Sequence, residues 1–328
     1  MYALQRIIVV TIAATGLACA LPPGLALSQE AFPAKPIRFV VGYAPGGSAD
    51  LLARMIARKM SENWKQPVVV DNRPGGGGTL AAVQVAKAAS DGQTLLYAGA
   101  NFVISSALQP TLPYDPFKDF AGITRIGFST QVLTAAPAVG VRSVKELVAL
   151  ARAQPGKMIY GSAAVGSGPH LTGARFNHMA EIKVITVAFK GAQETLIQIM
   201  GGRAHYGVTS LSPALPFIRD GKLLALAVNT PQRSPVLPDV PALAETLPEF
   251  KRNETSNGLL APAGTPGPIL NQISKEVARI LGLPDIREWL NAIGYVPAPC
   301  TPEEYDRILR GQHEILSRLV VDIGLKAK

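Results

Sequence analysis

Twice in this chain a short run of β-branched or aromatic residues ends in a glycine-rich turn and passes into residues spaced for a helix. The first instance runs from residues 39–41 through Pro45-Gly46-Gly47 to Ser48, a good helix cap, with Leu51, Leu52, Met55, Ile56 and Met60 at helical spacing behind it. The second runs from 158–160 through a glycine–serine loop over 161–168 into a helix with Pro169 near its first turn. A strand that turns into a helix in this way leaves the first N–H groups of the helix unpaired, and the helix dipole adds partial positive charge there. Such a turn suits an anion, above all a carboxylate or a phosphate. It also suits plain strand–helix packing, and the turn alone does not separate the two readings.

The segments around these turns alternate in type. Residues 67–70 read as a strand, 79–89 as a helix and 94–98 as a strand, a βαβαβ series that implies a parallel sheet. A second series opens at Ser143-x-x-Glu146, a capping box, and continues with strands near 158–160, 184–187, 206–208 and 224–228 and helices near 194–200 and 212–220. Open α/β sheets bind ligands at the carboxyl ends of their strands, so two such halves facing one another make a cleft lined by helix N-termini. Residues 234–250 are proline-rich and extended; a strand at 259–262 and helices near 266–281, 285–293 and 302–323 follow, and this tail is expected to return to the first half. The expected division is a signal peptide over 1–28, one domain from 29–133 plus 254–328, and a second from 134–253, with hinges near 131–137 and 250–258. Gly76-x-Gly78-x-x-Ala81 formally fits a dinucleotide fingerprint, but four residues separate it from its strand and no acid stands near residue 100 to hold a ribose; it reads as a loop facing the cleft.

With 328 residues the chain is long enough for two domains. Its net charge of +9 is scattered, with no basic run and no interleaved aromatics, which argues against a nucleic-acid partner. A mildly basic field still favours anionic solutes. Arg6, an apolar run over 7–21, and small residues at Gly24, Ala26 and Ser28 predict a cleaved secretory signal peptide; the run is shorter than the roughly 20 residues of a spanning helix. Lipidation of Cys19 ranks below cleavage after Ala26 or Ser28, because the usual leucine is missing. Cleavage leaves Cys300 alone, so no internal disulfide can form.

Reaction chemistry is hard to find. There is no Gly-x-Ser-x-Gly elbow, no phosphate-binding Gly-x4-Gly-Lys loop and no His-Glu-x-x-His. His170, His178, His205 and His313 lack metal-ligand spacing, so neither metal nor cofactor is expected. His170, beside a glycine loop, reads first as a helix-start residue bonded to its own loop. Asp50 has no partner carboxylate or nucleophile nearby and either orders its loop or meets a donor on a ligand. Lys190 is the best candidate cation in the second half, against the plainer reading of an exposed lysine.

Several ordered motifs taken together resemble the solute-binding proteins of tripartite tricarboxylate transporters, the Bug-type receptors. They are Tyr43-x-Pro45-Gly46-Gly47-x-x-Asp50-x-x-Ala53-Arg54, Asp71-Asn72-Arg73-Pro74-Gly75, Leu112-Pro113-Tyr114-Asp115-Pro116, Pro169-His170-Leu171-x-Gly173, Lys190-Gly191-Ala192 and Thr301-Pro302-Glu303-Glu304-Tyr305. The resemblance spans about residues 33–328. It implies an α/β, bilobal periplasmic-binding-protein fold of type II-like form, with the ligand cleft between two α/β domains. It implies a monomeric periplasmic receptor, not an enzyme, that closes on a small carboxylate and delivers it to membrane permease subunits or to a sensor kinase. Carried over residue by residue, the ligand contacts fall on Tyr43, Gly46, Gly47, Ser48 and Asp50 in the first lobe and on Ser162, Ser167, His170, Lys190 and Gly191 in the second. Departures from the family pattern at His205, Thr209, Ser210 and Ser256 bear on the far end of the ligand. A sensor-kinase coreceptor without a transport role, and a secreted hydrolase on a similar scaffold, are the alternatives. Since neither glycine turn contains an arginine, backbone amides are expected to hold the carboxylate, and Arg73 is the competing clamp.

Overall fold

The computed structural model describes residues 32–322 and residue 324, apart from positions 44, 47, 110, 164–166 and 251–255. The expected signal peptide, Cys19 and Gly47 therefore lie outside the described residues. The first lobe begins with β1 (Ile37–Val41), α1 (Ser48–Trp64), β2 (Val68–Asn72), α2 (Thr79–Ala86), β3 (Thr94–Ala98), α3 (Ala100–Leu108) and β4 (Phe120–Ser129). The second lobe holds β5 (Gln131–Ala135), α4 (Val144–Ala153), β6 (Ile159–Ser162), α5 (Gly168–Met179), β7 (Ile185–Ala188), α6 (Ala192–Met200), β8 (Tyr206–Ser210), α7 (Leu211–Arg219), β9 (Leu224–Val228) and the short α8 (Leu243–Thr246). The chain then returns to the first lobe with β10 (Asn257–Pro262), α9 (Gly267–Gly282), α10 (Pro284–Ala292), β11 (Tyr295–Pro297) and α11 (Pro302–Asp322).

The strand order is β11-β4-β10-β3-β1-β2 in the first sheet and β7-β6-β8-β5-β9 in the second. In the first, β1 runs parallel to β2 and β3, as the alternation of segments predicts, and the returning β10 pairs antiparallel between β3 and β4. In the second, β6 runs parallel to β7 and β8, while β5 pairs antiparallel with β8 and β9.

Both faces of each sheet are covered, which is why β1 reads as a continuous apolar run rather than an alternating one. Phe39 and Val41 pack with Leu52, Ile56 and Met60 of α1 and with Ile273 and Val277 of α9. Val40 and Leu96 pack on the opposite face with Val85, Phe102 and, from the tail, Tyr305 and Leu309. The tail thus closes the first lobe. Helix α3 was not anticipated, because Val103, Ile104, Ser105 and Ser106 are weak helix formers. Burial of Phe102, Val103 and Ile104 overrides that propensity.

The first of the two crossings between the sheets is made at a single residue, between β4 and β5. Thr130 donates its N–H to Gly294 O in the first lobe at 2.9 Å, and its carbonyl accepts Leu211 N from the second at 2.8 Å. On its far side the Gln131 N–H donates to Asn229 Oδ1 at 2.7 Å. Residues 131–135, within the first of the two expected extended segments, form a strand paired on both edges. Among the described residues no helix is long and apolar enough to cross a membrane.

Candidate functional site

The turn between β1 and α1 is held by one carboxylate. Asp50 is 2% exposed in the first turn of α1. It accepts Gly46 N at 2.9 Å, Arg54 Nε at 3.0 Å and Asn72 Nδ2 at 2.9 Å. Asn72 Nδ2 also donates to Tyr43 O at 3.1 Å, and Asn72 Oδ1 accepts Arg54 Nη2 at 2.8 Å, so the network ties the turn to the end of β2. Burial pushes the Asp50 carboxyl up, but the Arg54 guanidinium and the Gly46 and Asn72 donors outweigh it and hold the group below the usual aspartate value. Gly46 stands at φ +81, where a side chain would be strained. Its amide is committed to Asp50.

In the second lobe Ser167 caps α5, its Oγ accepting His170 N at 3.3 Å. His170 is buried, and burial lowers its imidazole pKa, which favours the neutral ring at pH 7. Ser162 is wholly buried: its Oγ donates to Ala163 O at 2.9 Å, and its carbonyl accepts Phe189 N at 2.9 Å and Thr195 Oγ1 at 3.2 Å. Lys190 is exposed, with its backbone N–H donated to Glu194 Oε2 at 2.9 Å, and Gly191 caps α6 in a fully extended conformation.

Between the lobes lies a cleft of about 730 Å³. Of the residues singled out from sequence, Tyr43, Gly46, Ser48, Ser167, Lys190 and Gly191 line it. Asp50, Ser162 and His170 sit behind its wall, and Gly47 lies outside the described residues. The wall also contains Asn101, Ser129, Gln131 and Asn257, which the sequence reading missed, and Ser210, which it named only as a departure from the family pattern. The strand-end rule that found Ser48 would have found Asn101, since α3 begins just after β3. Ser129, Gln131 and Asn257 come from the segments where the chain passes between lobes, and no local signal marks them. Gln131 is 7% exposed, and its buried Oε1 has no protein partner.

The first turns of α1, α3, α5 and α6 meet at this cleft through Ser48, Ala49, Ala100, Asn101, Gly168, Ala192 and their neighbours, and Ser210 opens α7 beside them. Each helix start brings unpaired N–H groups and a partial positive charge to one volume. The Gly76–Gly78 turn does not face this cleft. Gly77 and Gly78 face a small recess against Tyr43 and Gly99, and a Cβ on Gly42 would lie 2.7 Å from the Gly78 Cα, so the glycines serve close packing.

Of the four family departures, only Ser210 lines the cleft. His205 Nδ1 accepts Ile159 N at 2.9 Å, Ser256 Oγ accepts Gln312 Nε2 at 3.2 Å, and Thr209 is fully buried. Arg73 lies outside the cleft lining, 2.9 Å from Asp71 Oδ1 with its side chain 55% exposed. Exposed pairs of this kind contribute little. Arg73→Ala is therefore expected to change ligand affinity less than twofold by calorimetric titration, and a tenfold loss would restore Arg73 as a clamp.

Comparison with known proteins gives this geometry a context. The profile of the family described as tripartite tricarboxylate transporter family receptor matches residues 52–325. Protein BugT of Bordetella pertussis is 30% identical over 305 residues, covering 92% of this chain and 93% of its own. The solved structure of Rpa4515 of R. palustris with adipate has a TM-score of 0.82 at 30% identity, covering 90% of this chain and 100% of that one. MatC of Rhodopseudomonas palustris with bound malate has a TM-score of 0.75 at 30% identity, covering 88% and 100%. The family profile spans most of the chain, and the bilobal α/β fold with helix starts gathered at its cleft agrees with it: this chain belongs to the tripartite tricarboxylate transporter receptor family.

Proposed function

We propose that this receptor captures a small carboxylate between its lobes and delivers it to the permease subunits of a tripartite transporter, acting by binding and not by turnover. The observation that carries the reading is the convergence of four helix starts and the Lys190 side chain on one cleft. Adipate and malate, named with the two related structures, are carboxylates, which supports the same class of ligand here. Each helix dipole contributes about 0.3–1 kcal/mol toward an anion. Hydrogen bonds to a charged group add about 1.5–3 kcal/mol each. Three or four of them, less the cost of ordering, are compatible with a micromolar complex at about 8 kcal/mol. Export by cleavage of the N-terminal segment would place the receptor in the periplasm, where that solute is met.

Native mass spectrometry of protein purified without refolding identifies a retained solute, and calorimetric titration with that solute tests the site. Lys190→Met is expected to weaken binding about two- to fivefold, the modest effect of one solvent-screened charge. Unchanged affinity would remove Lys190 from the site, and a neutral solute would overturn the carboxylate reading.

The lobes, 29–133 plus 254–328 and 134–253 in the sequence-based division, would close on the ligand as a hinge about Thr130 and the returning segment. Small-angle scattering is expected to show compaction at saturating ligand. An unchanged radius of gyration with a verified ligand would count against the hinge.

A further inference from the structure

The cleft continues past the helix starts into a second chamber of about 700 Å³. Gly46, Ser48, Lys190, Gly191 and Ala192 border both chambers and so mark their junction. The two ends differ in chemistry. The first presents Asn101, Gln131, Ser167 and Asn257, including the partnerless Gln131 Oε1. The second adds the large apolar side chains of Leu51, Pro213, Trp289, Ile293 and Tyr295, with Thr130, Gln193, Glu194 and Ser212 as its polar members. Leu51 is 50% exposed, whereas its neighbour Leu52 is fully buried in the core. It is thus a large aliphatic side chain that the core does not use. Trp289 and Ile293 are half-buried on and just after α10.

Charge decides what can reach this end. Among the described residues lining either chamber, Lys190 is the one cation and Glu194 the one acid. A ligand with its carboxylate at the helix starts has Lys190 beside it. A second carboxylate placed in the far chamber would have no cation besides the Lys190 that the first already occupies, would approach Glu194, and would lose water against Trp289, Ile293 and Pro213. Burying a charge without a partner is costly, whereas burying apolar area against those side chains is favourable.

Resting on the carboxylate reading, we infer that the preferred solute is a monocarboxylate with an apolar body, an aromatic ring or a branched aliphatic chain, lodged between α1, α7 and α10. Short dicarboxylates are disfavoured. An aromatic body would stack or pack edge-on against Trp289.

The test compares 3-phenylpropanoate with adipate and malate by calorimetric titration of the whole exported chain. 3-Phenylpropanoate is expected to bind at least tenfold tighter than either dicarboxylate. Trp289→Ala should weaken it at least fivefold, with a smaller loss for adipate, and Trp289→Phe should restore most of the affinity. Trp64 packs against Phe32 in the first lobe, away from both chambers, with ring centroids 5.9 Å apart. A Trp64→Phe variant therefore leaves Trp289 as the tryptophan of the described residues, and its emission should shift on adding 3-phenylpropanoate. Thermal melts of each variant show whether it is folded. Tighter binding of adipate or malate, with no preference lost in Trp289→Ala, overturns the apolar-body inference and leaves the carboxylate receptor standing. Absence of binding by all three acids, with a non-acidic solute retained in native mass spectrometry, overturns both.

Discussion

Asp50→Ala is expected to lower stability by about 2–4 kcal/mol and ligand affinity at least tenfold, from the loss of several hydrogen bonds to one buried charged group. The carboxylate accepts Gly46 N, Arg54 Nε and Asn72 Nδ2, all within 3.0 Å. Hydrogen bonds to a charged group contribute about 1.5–3 kcal/mol each. The Arg54 side chain is 50% exposed, so its share is screened and the total stays below the simple sum. Without Asp50 the Gly46 amide and the Asn72 side chain lose their acceptor, and the turn no longer aims the start of α1 at the cleft. Asp50→Asn keeps one acceptor oxygen and should fall between wild type and alanine. The same carboxylate gives the turn a pH dependence. Its folded pKa lies below the ordinary 3.8, so its contribution is fully present above that value and is lost as pH falls through the lowered one. Thermal melts against pH and calorimetric titration check both statements. Native-like affinity in Asp50→Ala would show that the turn is held by something else.

A second large effect is expected at Gly99, the residue between β3 and α3. A Cβ there would lie 2.0 Å from Tyr43 Oη, 2.6 Å from Cζ and 2.8 Å from Cε2. Two ring carbons and the hydroxyl oxygen stand in the way, and a tyrosine ring moves only as a whole. Tyr43 packs against the first-lobe core and lines the cleft, and burial raises its phenol to about 12. Gly99→Ala must therefore swing the ring out of place. Overpacking of this kind costs about 1–3 kcal/mol. It also deforms the cleft wall, for an expected loss of affinity of at least tenfold. A double-mutant cycle with Tyr43→Ala gives the sharper readout. Once the ring is gone, Gly99→Ala should cost almost nothing, so the two changes should be strongly non-additive. Additive costs would mean that Gly99 acts through something other than Tyr43.

Much of the site was legible before the fold was known, because its signals are local. A strand, a glycine turn and a helix start are read within a dozen residues, and unpaired N–H groups at a helix start follow from backbone geometry alone. That reasoning brought Ser48, Ser167, Lys190 and Gly191 to the cleft. The same adjacency could not say which turn residues face a ligand. Asp50 and His170 lie beside the cleft in sequence, but Asn72 and Arg54 engage the Asp50 side chain, and His170 is buried. Helix α3 was hidden because packing against α11 outweighs the poor propensity of its residues. Gln131 and Asn257 come from the two passages between lobes, and Trp289 from a helix that reads as ordinary amphipathic tail. The two α/β halves and the anion-seeking turns are legible from residue order alone, since backbone periodicity and helix-end chemistry need only near neighbours. Which side chains share the cleft, and that Leu51, Trp289 and Ile293 gather at its far end, follows from the assembled fold alone, because those residues are far apart along the chain and meet only when the lobes are built.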